Sequence, residues 1–127
     1  MLTLSILPEE FGICRLESSA GIPAWATVGP FFSITKTTEE LSIVCPAALI
    51  PQGITCEKEW RCLKVHGPLP FDQTGVLSSL AEPLAKAGVS IFALSTYDTD
   101  YLLVKDNDLS RTIKVLLLAG NKVNEQG

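Results

Sequence analysis

The chain has 127 residues, 46% of them hydrophobic, and a formal net charge of −4 at pH 7. This length suits one compact domain or two very small ones sharing a core, and the apolar content is sufficient to build that core. An acidic chain without a basic stripe cannot neutralise phosphates as a general nucleic-acid binder does. No apolar run approaches the roughly 20 residues that span a bilayer, so we expect no membrane partner.

The cysteine pattern argues against disulfides and zinc. The four cysteines are Cys14, Cys45, Cys56 and Cys62; none forms a CxxC pair, and His66 is the single histidine. The N-terminus lacks a basic start and a small-residue cleavage site, so we expect a cytoplasmic location and free thiols. The sequence holds no P-loop and no nucleophile elbow, and we expect neither a cofactor nor enzyme activity.

The first half of the chain shows strand patterns and no long helix. Apolar residues alternate along residues 2–6, and residues 11–17 are expected to pair with them across a turn at 8–10. The remaining predictions for this half are a strand pair at 31–35 and 41–45, and an irregular stretch or short helix at 21–29.

The second half gives a clearer pattern. Residues 60–66 alternate as a strand and stop at the Gly-Pro turn of residues 67–70. A helix is expected from an N-cap at Asp72 to Ala87, with Gly88 following its end and Pro83 as a flaw within it. The residues expected on its buried face are Val76, Leu80, Leu84 and Ala87.

A hairpin and a second helix are predicted next. Residues 89–94 are apolar on both faces and predict a central strand, followed by a turn at 96–99 and a returning strand at 101–104. Asp106 or Asn107 is expected to cap a helix that Gly120 ends, before a short last strand at 121–125. The predicted buried stripe of this helix is Leu109, Ile113, Leu116 and Leu117.

The predicted order βαββαβ corresponds to an α+β fold of the ferredoxin-like type, with helices on one face of an antiparallel sheet. The first half is interpreted as a reduced or interrupted copy of the same unit. We therefore predict two units, residues 1–59 and residues 60–127, neither of which is expected to be stable alone at this size.

Three segments resemble a known family. They are residues 31–37 (FFSITKT), residues 74–77 (TGVL) with 82–85 (EPLA), and residues 94–100 (LSTYDTD) leading into 101–104 (YLLV). Together they are similar to bacterial tandem ACT-domain proteins related to the regulatory region of aspartate kinases, and to the CASTOR-type cytosolic arginine sensors. The similarity is weak up to about residue 30 and strong over residues 60–104.

The resemblance implies two ACT units, assembly through ACT–ACT interfaces, and an amino acid bound at such an interface. The positions that match the ligand contacts of the arginine sensors are Gly75, Val76, Thr96, Tyr97 and Asp100. The sensors have four ACT units and this chain has two, so the resemblance implies a site completed in a homo-oligomer, a dimer being expected.

The residues themselves permit this chemistry. The first turn of a helix after Asp72 would offer amide donors to a carboxylate, and Gly75 would allow a ligand close to the backbone, although it would equally relieve crowding between helix and sheet. Asp100 could accept an ammonium group, while Asp98 is interpreted as an ordinary turn residue. Tyr97 could pack on a ligand or merely cover the end of the sheet.

Three function classes follow from these observations. The first is a regulatory module that binds an amino acid or a similar small metabolite. The alternative is a protein-interaction or assembly module without a small ligand, because edge strands and an incomplete first unit favour pairing with another chain. An enzyme is the least supported class, since His66 ends a strand with no nucleophile at a catalytic spacing and reads as structural.

Overall fold

The computed structural model of the protein describes residues 1–70 and 73–125. Within these ranges the strands are β1 (Thr3–Leu16), β2 (Ser33–Lys36), β3 (Leu41–Pro46), β4 (Cys56–Val65), β5 (Phe92–Ser95), β6 (Asp100–Lys105) and β7 (Lys122–Asn124). The helices are α1 (Val76–Lys86) and α2 (Leu109–Leu118), with 3-10 turns at Ala24–Thr27, Ala47–Leu49 and Asp106–Asp108.

The chain divides into two compact units. A discontinuous unit comprises Met1–Pro8 and Arg61–Gly127, and a continuous unit comprises Glu9–Trp60. The division after residue 60 lies one residue from the predicted boundary, but the first eight residues join the C-terminal segment instead of the N-terminal one. Local patterns do not reveal this, because the partner of an N-terminal strand is chosen by long-range pairing.

In the discontinuous unit the strand order is β7-β1-β4-β6-β5. Both helices pack on one face of this sheet, because side chains from α1, α2, β1, β4 and β6 share a single core. Its buried members are Leu4, Ile6, Leu63, Val65, Leu80, Leu84, Val89, Leu102, Val104 and Leu116. The βαββαβ order from β4 to β7 agrees with the predicted ferredoxin-like α+β fold. The sheet is not wholly antiparallel, because β7 runs parallel to β1.

Both helices end in the same way. Gly88 and Gly120 adopt positive φ values of 79° and 96° directly after the helix ends, as glycine does at this position. The amide of Val89 donates to the Leu84 carbonyl at 2.9 Å, and that of Asn121 donates to the Leu116 carbonyl at 3.0 Å. The predicted stops after both helices are therefore confirmed.

Three details of the predicted second half were wrong. The first helix begins at Val76, and residues 73–75 are not helical; the proposed cap Asp72 lies outside the described residues. Strand β5 is at the sheet edge and only half covered, not central. In α2 the fully buried partner of Leu116 is Thr112, whereas Leu117 is 50% exposed, because position 112 lies on the same helical face as Leu109 and Leu116.

The continuous unit is built on two antiparallel pairings. β1 pairs with β3 from Phe11↔Pro46 to Leu16↔Leu41, and β3 pairs with β2. The predicted strand pair is confirmed, and of the two alternatives for residues 21–29, an irregular stretch or a short helix, the structure has a 3-10 turn at Ala24–Thr27. The predicted turn at residues 8–10 is wrong: β1 is continuous through Pro8, because residues 11–16 find their partner in β3 and do not fold back on residues 3–6.

Candidate functional site

The turn between β5 and β6 in the discontinuous unit is held by its own threonines. Ser95 pairs with Asp100 across the hairpin, and the Thr96 amide donates to the Thr99 carbonyl at 2.8 Å. The Thr96 hydroxyl also donates to that carbonyl at 3.1 Å and accepts from the Thr99 amide at 3.3 Å. Threonine side chains make such local bonds readily, so the sequence itself fixes the shape of this turn.

Two further bonds attach the turn to the rest of the unit. The buried Thr99 hydroxyl donates to the Val65 carbonyl, the last residue of β4, at 2.6 Å. The Leu69 amide donates to the Asp98 carbonyl at 2.7 Å, which places the segment after β4 against the turn. A side chain at Gly67 would lie only 2.9 Å from the Asp98 carbonyl, so glycine permits this close approach.

The start of α1 lies at the same end of the unit. Gly75 is the N-cap residue, with a φ of 81° that only glycine adopts without strain, and it provides no side-chain cap. The first turn of α1 contains no acidic residue. A helix start of this kind presents backbone N–H groups and the positive end of the helix dipole.

The helix start and the turn border one open cleft of about 210 Å³. Four of the five residues nominated from the sequence line it, while Gly75 does not line it and only precedes the lining residue Val76. The described lining residues are Leu69, Pro70, Gln73, Val76, Ser95, Thr96, Tyr97, Asp98, Thr99 and Asp100.

The charge of the cleft is one-sided. Among its described lining residues, the charged ones are Asp98 and Asp100. The Ser95 hydroxyl donates to Asp100 at 2.5 Å, which orients one carboxylate oxygen and leaves further lone pairs as acceptors. Tyr97 is 78% exposed, so its ring stands at the rim. The arrangement offers carboxylate acceptors opposite a helix start.

Sequence reasoning missed the contribution of the loop after β4. Leu69 and Pro70 line the cleft, although the Gly-Pro-Leu-Pro stretch was interpreted only as the end of a strand. Gln73, which also lines it, belongs to the segment after Asp72 that was expected to offer amide donors. Asp98, which was interpreted as an ordinary turn residue, is exposed and also lines the cleft. The sequence signal that could have found this loop is the predicted hairpin. The loop lies at the cleft because the Leu69 amide bonds to the Asp98 carbonyl in the hairpin turn.

The structure also brings together a polar pair, Ser5 and His66, that the sequence did not predict. The Ser5 hydroxyl and His66 Nε2 lie 2.5 Å apart across a sequence separation of 61 residues. With Lys64 and Gly67 they line an open surface cavity.

In residues 1–70 and 73–125, no group of three or more His, Cys, Asp or Glu side chains is arranged to hold a metal ion. None of the described helices is both long and apolar enough to cross a membrane.

Comparison with known proteins assigns the family. The ACT-domain family model matches residues 55–117, and a second family model, described as an N-terminal domain, matches residues 9–53. The chain is 45% identical to an Agrobacterium tumefaciens protein of known crystal structure, covering 99% of this chain and 94% of that one, with a TM-score of 0.95. The chain therefore carries an ACT domain over residues 55–117, as its sequence resemblance indicated, and it belongs to the same family as the Agrobacterium protein.

Other relatives are more distant or longer. The chain is 31% identical over 108 residues to the rat cytosolic arginine sensor for mTORC1 subunit 1. That match covers 79% of this chain and 32% of the rat protein, so the chain spans about a third of that relative. The regulatory subunit of Thermus thermophilus aspartate kinase shares the fold, with a TM-score of 0.61 at 8% identity over 87% of this chain and 91% of that one.

Proposed function

We propose that this protein is a non-catalytic regulatory module of the cytosol that binds an amino acid in the cleft between the start of α1 and the β5–β6 turn. The observation that carries the proposal is that Val76, at the helix start, and Asp100, at the end of the turn, line the same cleft. An amino acid carries a carboxylate and an ammonium group a few ångströms apart. The helix start suits the first and Asp100 suits the second.

The size of the cleft supports a small metabolite. Pockets for drug-sized ligands hold about 300–1,000 Å³, whereas this cleft encloses about 210 Å³. The two bonds that attach the turn, Thr99 to Val65 and Leu69 to Asp98, keep the acceptor groups in place before a ligand arrives. A preformed site loses less conformational entropy on binding than a flexible one.

The charge of the cleft favours a cationic ligand. Asp98 and Asp100 are not balanced by a basic residue among the described lining residues. A neutral zwitterion would engage one carboxylate and leave the other uncompensated, whereas a basic amino acid could engage both. The exposed ring of Tyr97 could add a cation–π contact of about 0.5–1 kcal/mol. The rat relative is named as an arginine sensor, and we propose the same ligand class here.

We further propose that the cleft is closed by an ACT unit of a second copy, which makes the active form a homodimer. The cleft is open to solvent on one side, and Tyr97 at its rim is 78% exposed. A ligand that bridges two copies would stabilise their association by mass action. Sedimentation with and without ligand tests this part, because bridging predicts a dimer population that rises with ligand concentration.

The binding proposal is tested by a thermal-shift screen of the proteinogenic amino acids, followed by calorimetry of the hits. A ligand at one hundred times its dissociation constant stabilises the folded state by about 2.7 kcal/mol. In a chain of this length, each kcal/mol of stabilisation raises the melting temperature by roughly 4 °C. We expect the largest shifts from arginine or lysine. An amino acid amide, which lacks the carboxylate, should bind more weakly.

Asp100→Asn is the decisive variant. It keeps the size of the side chain and an acceptor for Ser95, but it removes the charge, and we expect at least a tenfold loss of affinity. Asp106→Asn is the matched control, because Asp106 follows the other end of β6 and pairs with Arg61 at 3.4 Å, away from the cleft. Equal affinity in wild type and Asp100→Asn, or no shift with any amino acid, would overturn the proposal.

One observation favours the alternative role, an assembly module without a small ligand. Leu117 and Leu118 at the end of α2 are 50% and 82% exposed, and neighbouring apolar exposure is typical of contact surfaces. Under this alternative, the protein forms a stable oligomer whose mass does not respond to any amino acid. The same sedimentation experiment therefore separates the two roles.

A further inference from the structure

Three of the four cysteines meet in the core of the continuous unit. Cys14 and Cys45 are 2% and 0% exposed, and the half-buried Cys56 packs against the same cluster. The β1–β3 register places Cys14 opposite Ile43 and Cys45 opposite Gly12, so both thiols lie on one face of the sheet. The fourth cysteine, Cys62, belongs to the other unit.

Cys14 and Cys56 are direct neighbours within this cluster. The Arg15 amide donates to the Thr55 carbonyl at 2.9 Å, which sets the two chain segments side by side at these cysteines. The Cys56 thiol is close enough to Cys14 to raise its pKa, after the larger effect of burial. Directly opposite residues on adjacent strands have Cβ atoms about 4.5–5.5 Å apart, and a disulfide needs about 3.5–4.5 Å, so bonding two such cysteines requires an approach of about 1 Å.

The three thiols differ in access to solvent. Cys56 is partly exposed, whereas Cys14 and Cys45 are enclosed. Burial, followed by the neighbouring Cys56 and Cys45 thiols, raises the pKa of Cys14 to about 12, and burial also raises the pKa of Cys45. The thiolate is the form of cysteine that reacts with oxidants. Because Cys56 is the one of the three thiols that is open to solvent, an oxidant would meet Cys56 first.

We propose that Cys56 and Cys14 form an oxidisable thiol pair that closes to an intramolecular disulfide when the protein meets a hydroperoxide. The Cys56 thiolate attacks the peroxide O–O bond and becomes a sulfenic acid, while the departing oxygen leaves as water or an alcohol after protonation. The Cys14 sulfur then attacks the Cys56 sulfur, and the hydroxyl group leaves with the Cys14 proton as water. In sum, two thiols and one peroxide give a disulfide, one water, and one further water or alcohol.

The Cys14–Cys56 disulfide would cross-link the two ends of the continuous unit. Residues 14 and 56 lie near the two ends of Glu9–Trp60, so the disulfide closes a loop that contains β2 and β3. A cross-link over such a long loop restricts the unfolded chain and stabilises the folded one. The oxidised protein should therefore unfold at a higher temperature than the reduced protein.

The test uses the full chain treated with hydrogen peroxide, quenched, and assayed for thiols under denaturing conditions. The count should fall from four to two, peptide mapping should find a Cys14–Cys56 link, and dithiothreitol should restore all four thiols. The unfolding midpoint should rise on oxidation and return on reduction. A wild-type protein that keeps four thiols, or that links a different pair of cysteines, would overturn the proposal.

Single substitutions assign the roles. Cys62→Ser should still form the disulfide, whereas Cys56→Ser should not. Cys14→Ala should accumulate a sulfenic acid at Cys56 that dimedone traps, because its resolving thiol is gone. If a substituted core fails to fold, the wild-type peptide map decides alone. Disulfide formation in Cys56→Ser would contradict the role given to Cys56.

Discussion

Replacing Thr99 by valine tests how the cleft is held. The Thr99 side chain is 4% exposed, and its hydroxyl donates to the Val65 carbonyl at 2.6 Å. Valine has nearly the same shape but replaces this donor by a methyl group. The substitution therefore removes one hydrogen bond between the β5–β6 turn and the end of β4 while leaving the packing volume almost unchanged.

The expected cost follows from the burial of this bond. Removing one partner of a buried hydrogen bond costs about 1–3 kcal/mol, because the remaining carbonyl loses its partner without regaining water. For a chain of this length, roughly 4 °C of melting temperature corresponds to each kcal/mol, so the midpoint should fall by about 4–12 °C. Ligand affinity should fall as well, since Thr99 itself and Asp100 border the cleft.

Urea denaturation of the purified protein measures the first effect, and calorimetric titration with the best ligand measures the second. Thr27→Val is the matched control: Thr27 is exposed, and its hydroxyl makes only a local bond of 3.3 Å to the Ala24 carbonyl. This control should change stability by less than about 0.5 kcal/mol. If Thr99→Val unfolds at the same urea concentration as wild type, the Thr99–Val65 bond does not hold the turn.

Two further predictions concern stability alone. Gly120→Ala should destabilise the protein by about 1 kcal/mol in urea denaturation, because residue 120 has a φ of 96°. An added Cβ would meet nothing within 4 Å, so the cost is purely conformational. A stabilising alanine would contradict this reasoning. Stability should also fall as pH rises from 9, because the unfolded chain releases the Cys14 proton near pH 9 while the folded pKa is about 12. The loss continues up to that folded value, and Cys14→Ala should show a shallower decline as pH rises from 9 towards about 12; identical profiles would refute the assignment.

The candidate site was largely predictable because its parts are local. The Thr-Tyr-Asp-Thr turn between two apolar strands predicts a hairpin. The helix was expected to begin directly after Asp72, and it begins a few residues later, at Val76. The contribution of Leu69 was not predictable. Its position depends on a hydrogen bond from its own amide to the Asp98 carbonyl, between segments far apart in sequence.

The errors in the fold have a common cause. The predicted turn at residues 8–10 assumed that neighbouring apolar segments pair with each other, but residues 11–16 pair with β3. The apolar run of β5 predicted a central strand, yet no strand lies beyond it in the order described for residues 1–70 and 73–125. Thr112 was passed over because it is polar, although helical geometry places it on the buried face.

The sequence by itself determined the elements of this protein: the periodicity of its apolar residues, the glycines that end both helices, and the threonines that shape the β5–β6 turn. These features depend on interactions within a few residues, which any short segment already contains. Only the tertiary structure decided which strand lies beside β1, which thiols meet, and which loop borders the cleft. Those choices depend on how all segments compete for the same core, and a local pattern contains no information about its distant competitors.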